Sequence, residues 1–385
     1  MAVNPSAYQV SDICLGKPAL WGLSINSTTI ADALSALRRS GETYLSVWNC
    51  DHRRTKPLKN CADECRCVGK ICSGDIICFL AKEDHLKNPT AALRKPISEI
   101  LNPSKNPSTV RHLDPQASLV EAIDLFLEGA QNLVIPIHNP FKRKQSYNLS
   151  GSTLHDNYRE YCWLTQEDII RSLLNSIYLF SSISNKSIEF LGLIDTNSTI
   201  VAHCDDPAAS LLPVISHSIQ NQTAVAVLND DDKLIGEISH LSLNLCDETV
   251  AFALATLTVG ELVGYVDGAE EMNQVVKERL ERKKMVGALE LLEDDLSSIS
   301  GSSCSSSDDD DSLTGRKLTR SLTRTGRSRD PVVCYPWSSL IAVMIMAISH
   351  RLGYLWVVEE DGGIVGIVTY AKMLQIFKER LKVGF

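Results

Sequence analysis

A chain of 385 residues, 44% hydrophobic and 22% charged, holds enough apolar material for two or three folded cores, which excludes disorder over most of its length. Its net charge of −9 excludes the broad basic field that attracts nucleic acids or anionic membranes; the six basic residues between Arg316 and Arg329 form its one basic cluster. Twelve cysteines run from Cys14 to Cys334 behind an opening, MAVNPSAYQVSDICLG, that has no basic stretch leading into an apolar run. They read as reduced thiols, several of them small buried hydrophobes, in a cytoplasmic or nuclear protein.

The first predicted element is a short lead-in, VSDICL from Val10. A helix then starts at Thr29 in TIADALSALRRSGETYLSVW and reaches a strand at Tyr44, with Thr29 and Asp32 at capping-box spacing. The hairpin after this strand carries an insertion, WNCDHRRTKPLKNCADECRCVGK, before GKICSGD opens a second helix. Cys50, His52, Cys61, Cys65 and Cys67 in that insertion are zinc-type or redox-type side chains. Paired C-x-x-C knuckles are absent, and an ordinary cysteine-bearing surface loop needs neither chemistry.

A second lead-in, ISEILN from Ile97, precedes SLVEAIDLFLEGAQNLVIPI from Ser118. There Leu119, Ile123, Phe126, Leu127 and Ala130 make one helical face, with Glu121, Asp124 and Glu128 outside it. A polar loop over 138–160 leads to CWLTQEDIIRSLL. The third helix-to-strand run is SLLPVISHSIQNQTAVAVL from Ser210, followed by the hairpin VLNDDDKLIGEIS.

Two further helices are expected in DETVAFALATLTVGELVGYV and MNQVVKERLERKKMVGALELLEDDL, docked on their own module. Residues 297–330 hold eleven serines, four threonines, an acidic block and a basic block, the composition of a segment that buries too little apolar surface to order itself. Ser305, Ser306 and Ser307 each have an aspartate three residues on, and Thr319 and Thr323 each follow a basic residue by three, so all five are phosphorylation candidates. The last run is SLIAVMIMAISHRLGYLWVV from Ser339, with the hairpin VVEEDGGIVGIVT and the helix AKMLQIF. Its apolar stretch, Leu340 to Ile348, is about half the length a bilayer requires.

In all four runs fifteen positions separate the hydroxyl residue (Thr29, Ser118, Ser210, Ser339) from the expected first strand residue (Tyr44, Leu133, Val225, Tyr354). The repeat is helix, strand, strand, helix, and starts separated by 89, 92 and 129 residues fit two paired modules, the second interrupted. Openings like V-S-D-I, a βαββα order and endings of the form G-h-h-T/S-x-x-D, with h apolar, resemble cystathionine-β-synthase (CBS) domains. VSDICLGKPAL, LSVWNC, EAIDLF, GAQNLVIPI and TQEDII are similar to the plant CBSX group of four-CBS proteins.

The resemblance implies an α/β (α+β) fold of four CBS motifs in two Bateman modules. Motif one is expected in 1–88 with a Cys-rich loop at 50–67, motif two in 95–180, motif three in 186–246 and motif four in 331–385. A helical insertion at 247–296 and a Ser/Asp/Arg-rich linker at 297–330 lie between the last two. It also implies a regulatory ligand such as AMP, ADP, ATP or S-adenosylmethionine, with the motif hydroxyl on phosphate or ribose and the aspartate on ribose, at a helix N-terminus.

Thr165 and Asp168 retain both groups, although Cys162 stands where the motif has glycine. The first copy keeps Asp75 but has Cys72 at the hydroxyl position; the third keeps Ser239 with Ser242 for the acid; the fourth keeps Thr369 with Lys372. Lys372 is either a phosphate partner or a solvated lysine, and Thr165 with Asp168 is equally a capping box that needs no ligand. No G-x-x-x-x-G-K-[ST], H-E-x-x-H or G-x-S-x-G signature is present, so the expected function is a non-enzymatic regulator of a partner protein. Relatives point to a kinase or thioredoxin-type partner and to dimerisation through CBS modules; the competing expectation is a ligand-free interaction scaffold.

Overall fold

The computed structural model describes residues 8–50, 66–101, 109–137, 160–244, 247–269, 271–300 and 330–383. Four three-stranded sheets repeat one topology, with the first strand parallel to the second and the second antiparallel to the third. They are β1 to β3 (Gly22–Ser24, Leu45–Trp48, Cys67–Ile71), β4 to β6 (Val110–His112, Asn132–Ile137, Glu160–Thr165), β7 to β9 (Ile200–His203, Ala224–Leu228, Leu234–Ser239), and β10 to β12 (Val333–Cys334, Tyr354–Val358, Ile364–Thr369). The longer helices of the first two copies are α1 (Ile30–Ser40), α2 (Ser73–Leu80), α3 (Leu119–Leu127) and α4 (Gln166–Asn175). Copy three contributes α5 (Leu212–Gln220) and α6 (His240–Asn244). Next come α7 (Val250–Thr256), α8 (Val259–Val266), α9 (Glu271–Arg282) and α10 (Val286–Ser300), then α11 (Leu340–His350) and α12 (Tyr370–Val383) of copy four. Among the described residues no helix is long and apolar enough to cross a membrane.

The caps form where the sequence places them in three copies: Thr29 with Asp32, Ser118 with Glu121 N–H, and Ser339 with Ala342 N–H. Gly41 ends α1 in the left-handed region at φ 67°, where a residue without Cβ fits best. Copy three departs from the pattern. Ser210 lies in a 3₁₀ turn, Ala208–Leu211, and donates to Pro207 O at 2.7 Å, while α5 starts without a side-chain cap. The first strand residues of copies two and three are Asn132 and Ala224, one earlier than the even spacing predicts.

Each lead-in crosses to the other copy of its module. Gln9 bridges Ser118, Pro96 bridges Thr29, Ser187 bridges Ser339 and Thr258 bridges Pro207. The lead-in of copy four therefore sits at Thr258, inside the segment read as helical insertion, far in sequence from β10. A capping box between Thr258 and Glu261 opens α8, and Arg279 of α9 forks onto the same Glu261 with two bonds of 2.7 Å. α10 reaches copy one, where a Cβ on Gly287 would lie 3.1 Å from Lys87 O.

The modules meet through helices, and this pairing sets the cores. One core joins copies one and three, with α2 against α5 and α6; the other joins copies two and four, with α3 and α4 against α11 and α12. A third cluster, Trp48, Cys67, Val110 and Val134, lies between the sheets of copies one and two. Each large apolar side chain buried in this way contributes about 1.5–3 kcal/mol, so separating a copy from its neighbours costs that much for every such side chain it exposes.

Candidate functional site

The four motif endings are equivalent strand-to-helix corners. Thr165 pairs opposite Asn132, Ser239 opposite Ala224 and Thr369 opposite Tyr354, while Cys72 directly follows β3. At such a corner the first helical N–H groups lack intrahelical partners and welcome an acceptor. What occupies each corner differs from copy to copy.

At the second corner Asp168 Oδ2 accepts from Thr165 N and Thr165 Oγ1, both at 2.7 Å, and Asp168 N donates to Thr165 Oγ1 at 3.3 Å. The lead-in of copy one then places the Lys17 ammonium on Asp168 Oδ2, while the same amine donates to Trp163 O at 2.8 Å. The carboxylate that sequence assigns to a ribose is thus paired within the chain. Lys372 of the fourth corner is solvated, its side chain 41% exposed, and its amine stands 3.8 Å from Asp195 Oδ2, while Thr369 Oγ1 accepts from Lys372 N at 3.3 Å. Lys17 and Asp195 each lie eight residues beyond the equivalent bridges at Gln9 and Ser187. The two modules carry the same ion pair with the charges exchanged. At the third corner Ser239 and Ser242 cap each other, Ser239 N donating to Ser242 Oγ at 2.8 Å and Ser242 N to Ser239 Oγ at 3.1 Å.

The motif glycine has a physical role visible in the three copies that keep it, since it faces an exchanged lead-in. A Cβ on Gly69 would lie 3.5 Å from Leu101, on Gly236 3.2 Å from Val263, and on Gly366 2.9 Å from Asp195 O. Cys162 takes this position in copy two, where its thiol and that of Cys14 hydrogen-bond. That bond, with the charge of Lys17, holds the Cys14 thiol below its ordinary value.

The first corner opens on a small cleft lined by Tyr44, Lys70 and Asp75 of copy one, Thr109 and Gln131 of copy two, and Ile219 of copy three. Asp75 Oδ2 accepts from Cys72 N at 2.9 Å, and burial raises the pKa of both the carboxyl and the Cys72 thiol. Lys70 is buried at 8% exposure and donates to Asn132 Oδ1 at 2.6 Å, with its amine 4.0 Å from the centre of the Tyr44 ring. Burial holds this amine down to about 7. Behind Tyr44 stands His240, ring centroids 5.4 Å apart, its imidazole held neutral by burial at about 3. Gln222 Nε2 shares Asn132 Oδ1 at 3.2 Å, so copies one, two and three meet in one polar cluster. Sequence reasoning missed Lys70 and His240, because GKIC and SHLS read as ordinary strand and cap. A neighbouring cleft, lined by Lys17, Leu20, Trp21, Glu42 and Trp163, shares Tyr44 with the first.

Cys67 is a core thiol in β3, bonded to Gly69 O at 3.3 Å and pushed up to about 12 by burial, so it is no thiolate at neutral pH. Cys50 is half-buried beside the same cluster, while Cys61, Cys65, Ser305, Ser306, Ser307, Thr319 and Thr323 lie outside the described residues. Among the described residues one set of metal-type donors converges, Cys204, Asp205 and Asp230 within 4.8 Å of one another, at the surface.

A CBS domain family profile matches residues 327–379. The CBS domain-containing protein CBSX5 of Arabidopsis thaliana is 43% identical across 99% of both chains. The SNF1-related protein kinase regulatory subunit gamma-like PV42b of Arabidopsis thaliana is 19% identical, covering 82% of this chain and 77% of that one. Among solved structures, protein MJ1225 of Methanocaldococcus jannaschii, described as an archaeal homologue of γ-AMPK, covers 96% of this chain and 100% of its own at TM-score 0.55 and 20% identity. Four βαββα copies with exchanged lead-ins, and 43% identity over nearly the whole length, show that the chain belongs to the plant CBSX-type CBS domain-containing proteins.

Proposed function

We propose that the chain is a non-catalytic regulatory protein that senses an adenosine-type ligand, AMP, ADP, ATP or S-adenosylmethionine, in the Asp75 cleft and passes its occupancy to a partner protein. The observation that carries this reading is the cleft itself, which copies one, two and three line together around a half-buried carboxylate at a helix start. A ligand seated there touches both modules at once. It would favour the arrangement in which α2 and α5 are packed, a population shift as large as its differential affinity for that arrangement. The kinase-subunit relative PV42b supports a protein kinase as the class of partner.

A second reading, a ligand-free scaffold, draws support from the other three corners. Lys17 on Asp168, Asp195 on Lys372, and the Ser239–Ser242 pair leave each of them internally satisfied. Calorimetric titration with AMP, ADP, ATP and S-adenosylmethionine separates the two. Saturable binding to the full-length chain that Asp75→Asn weakens supports the sensor, and silence with all four at millimolar ligand supports the scaffold.

A further inference from the structure

The inner end of the Asp75 cleft holds enclosed polar atoms that lack a hydrogen-bond partner. Among the described residues the Lys70 amine has one side-chain acceptor, Asn132 Oδ1, and no carboxylate at ion-pair distance. Tyr44 Oη is enclosed without a hydrogen-bond partner, and so is Nδ1 of the buried His240 packed on its ring. Asp75, the nearest carboxylate, is engaged by its own cap at Cys72 N. Glu237 lies deeper, with its two oxygens taken by Tyr354 Oη and Trp356 Nε1, each at 2.7 Å. Buried donors without acceptors cost stability, and a native protein keeps them where something else supplies the acceptor.

We propose that this cluster is an oxyanion site, in which a phosphate-type group of the ligand is held by the Lys70 ammonium and Tyr44 Oη and draws a proton onto Lys70 as it binds. This rests on the reading of the Asp75 cleft as a ligand site and adds the class of group that reaches its inner end. The groups facing Lys70 are Cys72 and Asp75 at the start of α2, Tyr44 just ahead of β2, Asn132 from β5, and His240 from α6. The thiol and the imidazole are neutral near pH 7, so among the described groups that face Lys70 the Asp75 carboxyl is the one acid, and its raised pKa limits how far its charge opposes an arriving phosphate. Free Lys70, titrating at about 7, is largely uncharged slightly above neutrality, and an oxyanion beside it restores the charged form.

The test is isothermal titration of the full-length chain at about pH 7.5 with AMP, adenosine and inorganic pyrophosphate, each in two buffers of different protonation enthalpy. AMP is expected to bind at least about tenfold more tightly than adenosine, with proton uptake that fades towards about pH 6. Lys70→Met should lose both the preference and the uptake while still binding adenosine, its fold being checked by thermal melting. Tyr44→Phe keeps the ring and should lose part of the preference, which decides the matter if Lys70→Met does not fold. Equal affinity for AMP and adenosine, or uptake unchanged in Lys70→Met, overturns the oxyanion site and leaves the adenosine-type reading standing. Pyrophosphate binding without either nucleoside ligand does the reverse, and no heat with any of the three overturns both.

Discussion

Replacing Lys70 with Met removes the one buried amine at the junction of three copies, and its effect on stability has a pH dependence whose sign follows from the geometry. The native amine titrates at about 7, against an ordinary value of 10.5, because burial disfavours the ammonium. Between those values the unfolded chain holds the proton and the folded chain has released it, so stability from this group rises with pH through that window. Below about pH 7 both states carry the proton and the full burial cost persists; above 10.5 neither does. Between about pH 6 and 8 the wild type should gain about 1.4 kcal/mol relative to Lys70→Met, one pKa unit's worth of proton linkage.

Urea denaturation of both proteins across that range measures the difference directly. The difference is what isolates Lys70, because His240, held at about 3, strengthens both proteins as pH rises through the acid range, and Cys67 and Cys78, pushed up to about 12, weaken both at alkaline pH. Parallel stability curves would refute the argument, since they would mean that the Lys70 amine is solvated enough to stay charged.

The exchanged ion pairs predict that Lys17→Asp with Asp168→Lys, which copies the charge order of Asp195 and Lys372, recovers part of what each single change loses. At side-chain exposures of 22% and 20% the coupling in such a cycle should be about 1 kcal/mol, read by thermal melting, and zero coupling would refute the pairing. Gly366→Ala puts a methyl 2.9 Å from both Asp195 O and Ile194 Cγ2, and should cost about 1–3 kcal/mol by urea denaturation. An unchanged midpoint would mean that the lead-in is not seated there. Glu237→Ala strips the acceptor from Tyr354 Oη and Trp356 Nε1, two groups in the core, and a loss of at least about 2 kcal/mol is expected from the same measurement.

The repeat was legible because its signals are local: a hydroxyl cap, a 3.6-residue apolar period and a strand at near-constant spacing. Copy three shows the limit of that reading. Pro207 starts a 3₁₀ turn ahead of α5, so Ser210 falls one residue short of the cap position, which Leu211 holds. The lead-in of copy four was hidden because TLTVGEL pairs with Pro207, whereas β10 begins only at Val333, and nothing local marks the connection. The candidate site was half legible. Asp75, Thr165, Ser239 and Thr369 sit at the expected corners, but Lys17 reaches Asp168 across 151 residues of sequence, through an exchange that no local pattern records. Lys70 escaped notice for a related reason: a lysine in a strand reads as solvated until Tyr44, Asn132 and His240 close over it from three different copies.

Titration of AMP into the wild type, Asp75→Asn and Asp168→Asn tests most directly where the chain senses its ligand. Asparagine still accepts from Cys72 N, so Asp75→Asn keeps the helix start and removes only the charge that faces the cleft. Asp75→Asn is expected to lower AMP affinity at least about tenfold while Asp168→Asn, whose acid is already held by Lys17, leaves it within about twofold. The opposite order, with Asp168→Asn abolishing binding and Asp75→Asn silent, would contradict this expectation.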